Sequence, residues 1–322
     1  MRAPTILHPA THQPIEGATI PRLSPDEFNG TAAHYSKQWG EETGYTDFIR
    51  NAPNAATHTL ARQLGWPDLF DRIRADASQR ETMVYDAACG FGLIHRDLFA
   101  EPKPRHLAYV GADIHDRLSS IENPDPSARF VNFDISAPLP TPDRFDYVIC
   151  RAALHHTPVP ERTLRSFVSV LKPSGTVAIS VYTKKSPMRE ASDEAFRSAI
   201  TPLPPDEAFR LVRQFSKLGR DLQASEGSIV IADDLPALGI RAGHYSIQEF
   251  VYDHFLKCWF NEKFGEKWSD IVNFDWYHPP YAYRYSFDEI VDMSRRCGLE
   301  VVRCESNKAQ HYLELKLISS GS

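Results

Sequence analysis

Short runs of β-branched and aromatic residues alternate with stretches of helical period between residues 83 and 182. This predicts parallel βαβ units, because a strand covered on both faces reads as a near-continuous apolar run and its crossover to the next parallel strand needs a helix. Five strands are expected, at MVYDAA (83–88), LAYVGADI (107–114), ARFVNFD (128–134), FDYVICR (145–151) and GTVAISVY (175–182). A helix over 161–171 places Leu164, Phe167, Val168 and Leu171 on one face and stops at Lys172, Pro173, Ser174 and Gly175. Strand character resumes at LEVVRCES and HYLELKLI, parted by a polar link at Asn307 and Lys308 that suits an antiparallel hairpin. A helix over 287–297, closed by Gly298, precedes that hairpin. Upstream, residues 25–77 read as helical, with Ala56, Leu60, Leu64, Leu69 and Ile73 near helical spacing, while residues 1–25 lack periodicity and are expected to form a loose arm. The expected architecture is α/β, with a seven-stranded, mostly parallel sheet ending in the antiparallel hairpin. It divides into an arm and helical cap (1–77), a ligand-binding core (78–183), a helical, aromatic-rich insertion after the fifth strand (184–285) and the completing helix and hairpin (286–322).

Composition narrows the partners. With 322 residues and 42% hydrophobic content the chain can bury a large core plus an appended unit without metals or disulfides. No apolar run approaches the roughly 18 residues of a membrane span, and the opening MRAPTILHPATHQP carries no secretory signal, so no membrane partner and a cytoplasmic address are expected. The five cysteines are scattered and never in a CxxC pair, which points to reduced thiols and no metal site. A formal charge of -6 without a Lys/Arg run removes the footprint of a nucleic-acid binder and favours a small-molecule substrate.

The most informative stretch is VYDAACGFGLIHRDL. A buried strand ends in Asp86, residues 88–92 make a tight turn, and a helix follows. Glycines there let the backbone approach a ligand, and a helix N-terminus offers unpaired N–H groups. Asp113 ends the next strand about twenty residues on, where a carboxylate can hold a ribose diol. A dinucleotide fold asks for a third small residue where His95 stands, and no GK[ST] follows the turn, so NAD, FAD and a P-loop are disfavoured.

The order DAACGFG, GADI, FVNFDIS, FDYVICRAALHH and LKPSGTVAISVY resembles the class I S-adenosylmethionine (SAM)-dependent methyltransferases, continuously over 83–182 and again in the C-terminal helix and hairpin. The resemblance implies a Rossmann-like fold with SAM as cofactor. It implies that Ala88 (often glycine in the family), Gly90 and Gly92 pass under the methionine part, and that Asp86 holds its amino group. It further implies that Asp113, with Ile114 beside it, accepts from the ribose, that Asp134 and Ile135 meet the adenine, and that Arg151 meets the methionine end.

Methyl transfer requires the acceptor held in line with the breaking bond and shielded from water. A hydroxyl acceptor also needs a base, and His155 and His156, just past the fourth strand, are candidates for it, with Tyr182 facing the same space. The same histidines also suit capping and packing, and Cys89 and Cys150 read as packing rather than nucleophiles. Within the aromatic-rich stretch 245–287, Ile247, Phe250, Val251, Phe255, Cys258 and Trp259 recur as one helical face, whereas NFDWYHPPYAYRY reads as a loop. Its Trp276, Tyr277, His278 and Tyr281 are candidates for a lid around the sulfonium, or for packing of the insertion. Three functions fit these residues: methyl transfer to a small molecule, a SAM-consuming reaction that transfers or cyclises the aminocarboxypropyl arm (to azetidine-2-carboxylate) and releases methylthioadenosine, and SAM-dependent regulation without turnover.

Overall fold

Each apolar run expected as a strand overlaps one in the computed structural model, which describes residues 25–38, 65–66, 68–115, 118–121, 124–141 and 144–319. The strands are β1 (Thr82–Ala87), β2 (Leu107–Asp113), β3 (Ala128–Asn132), β4 (Phe145–Cys150), β5 (Leu171–Tyr182), β6 (Ser228–Ile231), β7 (Gly243–Ser246), β8 (Leu299–Ser306) and β9 (Gln310–Leu317). Seven of them form one sheet in the order β3-β2-β1-β4-β5-β9-β8, parallel from β3 through β5 and antiparallel at β9 and β8. The hairpin turn closes through the Asn307 side chain, which accepts from the backbone N–H groups of Ala309 and Gln310.

Two of these strands differ from the sequence reading by more than one residue. β3 stops at Asn132, leaving Asp134 on the loop beyond it, where Asp134 accepts from the Ser136 N–H. β5 starts at Leu171: Leu171 pairs with Phe145 and Thr176 with Tyr147, so the expected turn at 172–175 is a bulge carried within the strand.

The helices are α1 (Pro25–Gln38), α2 (Leu69–Gln79), α3 (Leu93–Leu98), α4 (Pro160–Val170), α5 (Pro187–Ile200), α6 (Pro205–Ala224), α7 (Ile247–His254), α8 (Gly265–Tyr277) and α9 (Phe287–Arg296). One sheet face packs Tyr85, Ala87, Val110 and Ile179 against Leu164 and Phe167 of α4 and Ile290 and Met293 of α9. The other packs Val84, Leu107 and Ile149 against Leu69, Ile73 and Ala77 of α2 and Ile94 and Leu98 of α3. Leu69 and Ile73, read as part of a cap, are therefore core: each is fully buried, a gain of about 1.5–3 kcal/mol apiece. Ala56, Leu60, Leu64 and the expected arm over 1–25 lie outside the described residues, apart from the start of α1 at Pro25. α9 is capped as the sequence suggests, by a reciprocal Ser286 and Glu289 box, and is followed by Gly298 at positive φ.

The chain divides into two units. The first holds the sheet and its helices and takes the chain back at Tyr283, whose N–H donates to the His155 carbonyl. The second comprises, among the described residues, 33–38 and 184–282, with α5 to α8 and the β6–β7 ribbon. Two readings of this stretch are corrected. The apolar face from Ile247 to Trp259 is not one helix, since α7 ends at His254 and the backbone of Trp259 bonds both ways to the Asn273 side chain of α8. NFDWY is helical through Tyr277. Its aromatics show no single stripe because α8 is buried on several sides, and Pro279 and Pro280 only end it. Among the described residues no helix is long and apolar enough to cross a membrane.

Candidate active site

The strand order reverses at β1, with β2 on one side and β4 on the other, and the crevice beyond the carboxyl ends of such strands is where open α/β sheets bind ligands. Asp86 lies opposite Gly111 on β2 and Ile149 on β4, so Asp86, Asp113 and Arg151 emerge at one sheet edge. After β1 the chain folds sharply. The N–H groups of Ala88 and Cys89 both donate to the Ala112 carbonyl, at 2.8 and 2.9 Å, and Ala88, Gly90 and Gly92 take φ of 68, 53 and 71°. Ala88 pays roughly 1–2 kcal/mol for a conformation glycine adopts freely. Gly92 is fixed a second way, because an added Cβ would sit 3.3 Å from the Phe130 ring. The helix after this turn, α3, has only six residues, so the turn's own backbone, more than a helix end, shapes the site.

Asp113 holds this turn. Its Oδ2 accepts from the Gly90 N–H at 2.8 Å and its Oδ1 from the His115 N–H at 3.3 Å. His115, fully buried, completes the clasp through Nε2, 3.1 Å from the Gly90 carbonyl; a carbonyl only accepts, so Nε2 carries the proton. The two N–H groups of Asn132 Nδ2 are shared among the carbonyls of Asp113, Ile114 and His115, at 3.2, 3.0 and 2.7 Å, and fix the strand tip. A carboxylate has about four lone-pair sites, so two remain on Asp113 for a diol.

Asp86 is 1% exposed. The Tyr109 hydroxyl donates to its Oδ2 at 2.5 Å, while Oδ1 is buried without a partner. Burial pushes its carboxyl up to about 7, Asp113 adds to the rise, and the Tyr109 hydrogen bond and the Arg151 charge oppose it. An unmet buried acceptor in an anion-destabilising setting fits a cationic amine. Asp134 presents a second unmet acceptor, Oδ2, while Ile135 is largely buried in the sheet's core. The residues present thus fit a nucleoside carrying an amino-acid arm.

Sequence reading missed Tyr109, His115 and Asn132. Strand alternation held a signal for Tyr109: Tyr109, Gly111 and Asp113 share one face of β2, and Asp86 is the cross-strand partner of Gly111.

His155 does not suit the role of base. It is fully buried, its ring centroid lies 3.9 Å from that of Tyr182 and 4.2 Å from that of His156, and neither ring nitrogen has a partner of hydrogen-bond geometry. Burial first, then His156, hold its proton affinity well below that of an ordinary imidazole, and the Ser180 backbone offsets only part of this. His156 and Tyr182 are also mostly buried, their rings 5.4 Å apart. Burial raises the Cys89 and Cys150 thiols, as packing residues require.

Trp276, Tyr277 and His278 lie inside the second unit. Trp276 Nε1 and the Tyr277 hydroxyl donate to Asp193, at 2.8 and 3.0 Å, and His278 bonds to His34 and to the Leu203 carbonyl. Tyr281 is half-buried in the same unit. The polar atoms of the first three are engaged within their own unit, so the reading of these residues as a lid loop gives way to core packing.

Comparison with known proteins bears on the family. The family described as methyltransferase domain matches residues 56–223, just over half of the chain. The ubiquinone biosynthesis O-methyltransferase of Coxiella burnetii is 27% identical over 146 residues, 44% of this chain, and the match spans about 60% of that relative's length. Among solved structures, PKMT2 from Rickettsia typhi in complex with AdoHcy has 13% identity and a TM-score of 0.48, over 78% of this chain and 53% of that one. The 1,6-didemethyltoxoflavin-N1-methyltransferase of Burkholderia thailandensis has 13% identity and a TM-score of 0.44, over 93% of each chain. The family match, over just more than half of the chain, leads to one conclusion: the chain belongs to the methyltransferase-domain family.

Proposed function

We propose that the chain transfers a methyl group from SAM to an oxygen of a small molecule. The observation that carries this reading is the turn at 88–92, clasped by Asp113, beside the unmet buried acceptor of Asp86. Asp113, with Ile114 beside it, holds the ribose, Asp86 and the turn hold the amino-acid arm with Arg151 near its end, and Asp134 with Ile135 meets the adenine. SAM supplies a methyl group on a positively charged sulfur. The chain's own contribution is to orient the acceptor and exclude water, which is where most of the rate gain in such a transfer lies. For a hydroxyl acceptor the proton goes to His156, with Tyr182 beside it, rather than to His155, whose low proton affinity makes it a poor base. The formal charge of -6 and the absence of a basic run support a small acceptor over a nucleic acid. The oxygen is supported by the Coxiella burnetii relative, an O-methyltransferase by name.

The test is incubation of the pure chain with methyl-labelled SAM and a set of small phenols and hydroxy acids, with products identified by mass. S-adenosylhomocysteine together with a labelled O-methyl product is the expected result. Methylthioadenosine, or S-adenosylhomocysteine with the label on macromolecules alone, overturns the reading.

A further inference from the structure

The second unit buries a charge cluster that methyl transfer does not use. Arg189 on α5 is 0% exposed. Its Nε donates to Asp193 Oδ2 at 2.6 Å, one terminal nitrogen donates to the Tyr252 carbonyl, and the other is buried without a partner. Asp193 is saturated: Oδ2 also accepts from Trp276 Nε1, and Oδ1 accepts from the Lys257 N–H and the Tyr277 hydroxyl. Four donors use its four lone-pair sites, so it has none left for another cation. Yet Lys257, itself buried, sets its ammonium 4.6 Å from the Trp276 ring and 5.8 Å from Tyr252, with no hydrogen bond or ion pair among the described residues. Lys185 adds a third cation, 5.9 Å from the same indole. Burial, followed by repulsion from Arg189, lowers both lysines to about 7, with Glu190 and Asp253 opposing this at Lys185 and Asp193 and Asp275 at Lys257. Lys185 and Tyr252, at the edge of the cluster, are only half-buried.

A buried ammonium held by aromatic faces alone is expensive to maintain, because cation–π contact recovers only about 0.5–2 kcal/mol of a desolvation cost of several kcal/mol. The unpartnered Arg189 nitrogen beside it is a second unmet donor. We propose that Arg189 and Lys257, walled by Trp276 and Tyr252, form a binding site for a small oxyanion, the carboxylate or phosphate group of a small molecule. The Arg189 guanidinium and the Lys257 ammonium lie over the same two rings, and an oxyanion brings several acceptor lone pairs with the negative charge that neutral water lacks. This goes beyond the methyl-transfer reading and stands independently of it.

Calorimetric titration and thermal melting of the full chain, without SAM, test it. Inorganic phosphate and benzoate serve as the probes, with chloride holding the ionic strength constant. Saturable binding of at least one, with a higher melting temperature, is expected; phosphate alone assigns a phosphate group, benzoate alone a carboxylate, and both the shared oxyanion chemistry. Lys257→Met is expected to bind at least tenfold more weakly while its SAM affinity stays the same, and Lys257→Arg to remain within threefold of the parent. Lys257→Gln is read in place of the Met variant if the latter does not fold. Neither probe binding, or the charge-removing variant binding like the parent, overturns the proposal.

Discussion

At the scale of single residues, the site is a problem of unmet acceptors. Asp86 and Asp113 end neighbouring strands, yet the first is half-satisfied and pushed up to about 7 while the second is engaged by two backbone N–H groups. In the ligand-free chain the Asp86 shift has a definite sign. Its folded value is raised above the ordinary 3.8, so its contribution to stability is complete below that pH and is lost as pH rises through about 7. A cationic amine beside it favours the carboxylate, so SAM binding is expected to release a proton from Asp86. Comparing calorimetry in buffers of different ionisation enthalpy for the parent and Asp86→Asn should show about half a proton more released by the parent at pH 7, more at pH 6 and almost none above about pH 8. Equal release in both proteins at pH 7 contradicts the Asp86 assignment. These two carboxylates were legible in the sequence because each follows an apolar run and stops it. His115 was not, since its role depends on a turn folding back to bring Gly90 within 3.1 Å of its ring.

At the scale of elements, local pattern served the strands well and the inserted helices less well. Strand runs buried on both faces announce themselves, whereas α8, buried on several sides, hides its period and was read as a loop. The end of α7 was hidden for a different reason, because the backbone groups at and just past it are taken by distant side chains: Arg189, Ser186 and Ser192 donate to the carbonyls of Tyr252, His254 and Phe255, and Asp193 accepts from the Lys257 N–H. Gly219 on α6 is another long-range constraint invisible in sequence: a Cβ there would lie 2.1 Å from the Cys258 carbonyl oxygen. Helix propensity alone favours Gly219→Ala by about 1 kcal/mol. Overpacking against rigid backbone costs about 1–3 kcal/mol or more and wins at this distance. The variant is therefore expected to lose about 2 kcal/mol in denaturant unfolding followed by tryptophan fluorescence, and a gain of stability contradicts the packing.

At the scale of the whole molecule, the order of strand, turn and carboxylate gave away the mostly parallel sheet and its antiparallel hairpin, because each follows from local chemistry repeated in a fixed order. The chemistry of the second unit stayed hidden, since Lys185, Arg189, Asp193, Lys257 and Trp276 come together only through the packing of three separate segments. The division of labour also changed: Trp276, Tyr277 and His278, read as candidates for a reaction chamber, are the interior of that unit. The central claim rests on the first unit alone, that a turn clasped by Asp113 binds SAM through the ribose. It is tested most directly by titrating SAM calorimetrically into the parent chain and Asp113→Ala. With charge-assisted hydrogen bonds at roughly 1.5–3 kcal/mol each, the account predicts saturable one-to-one binding by the parent and at least a tenfold loss in a variant that still melts cooperatively. Equal affinity in the two proteins, or no binding by the parent, contradicts it.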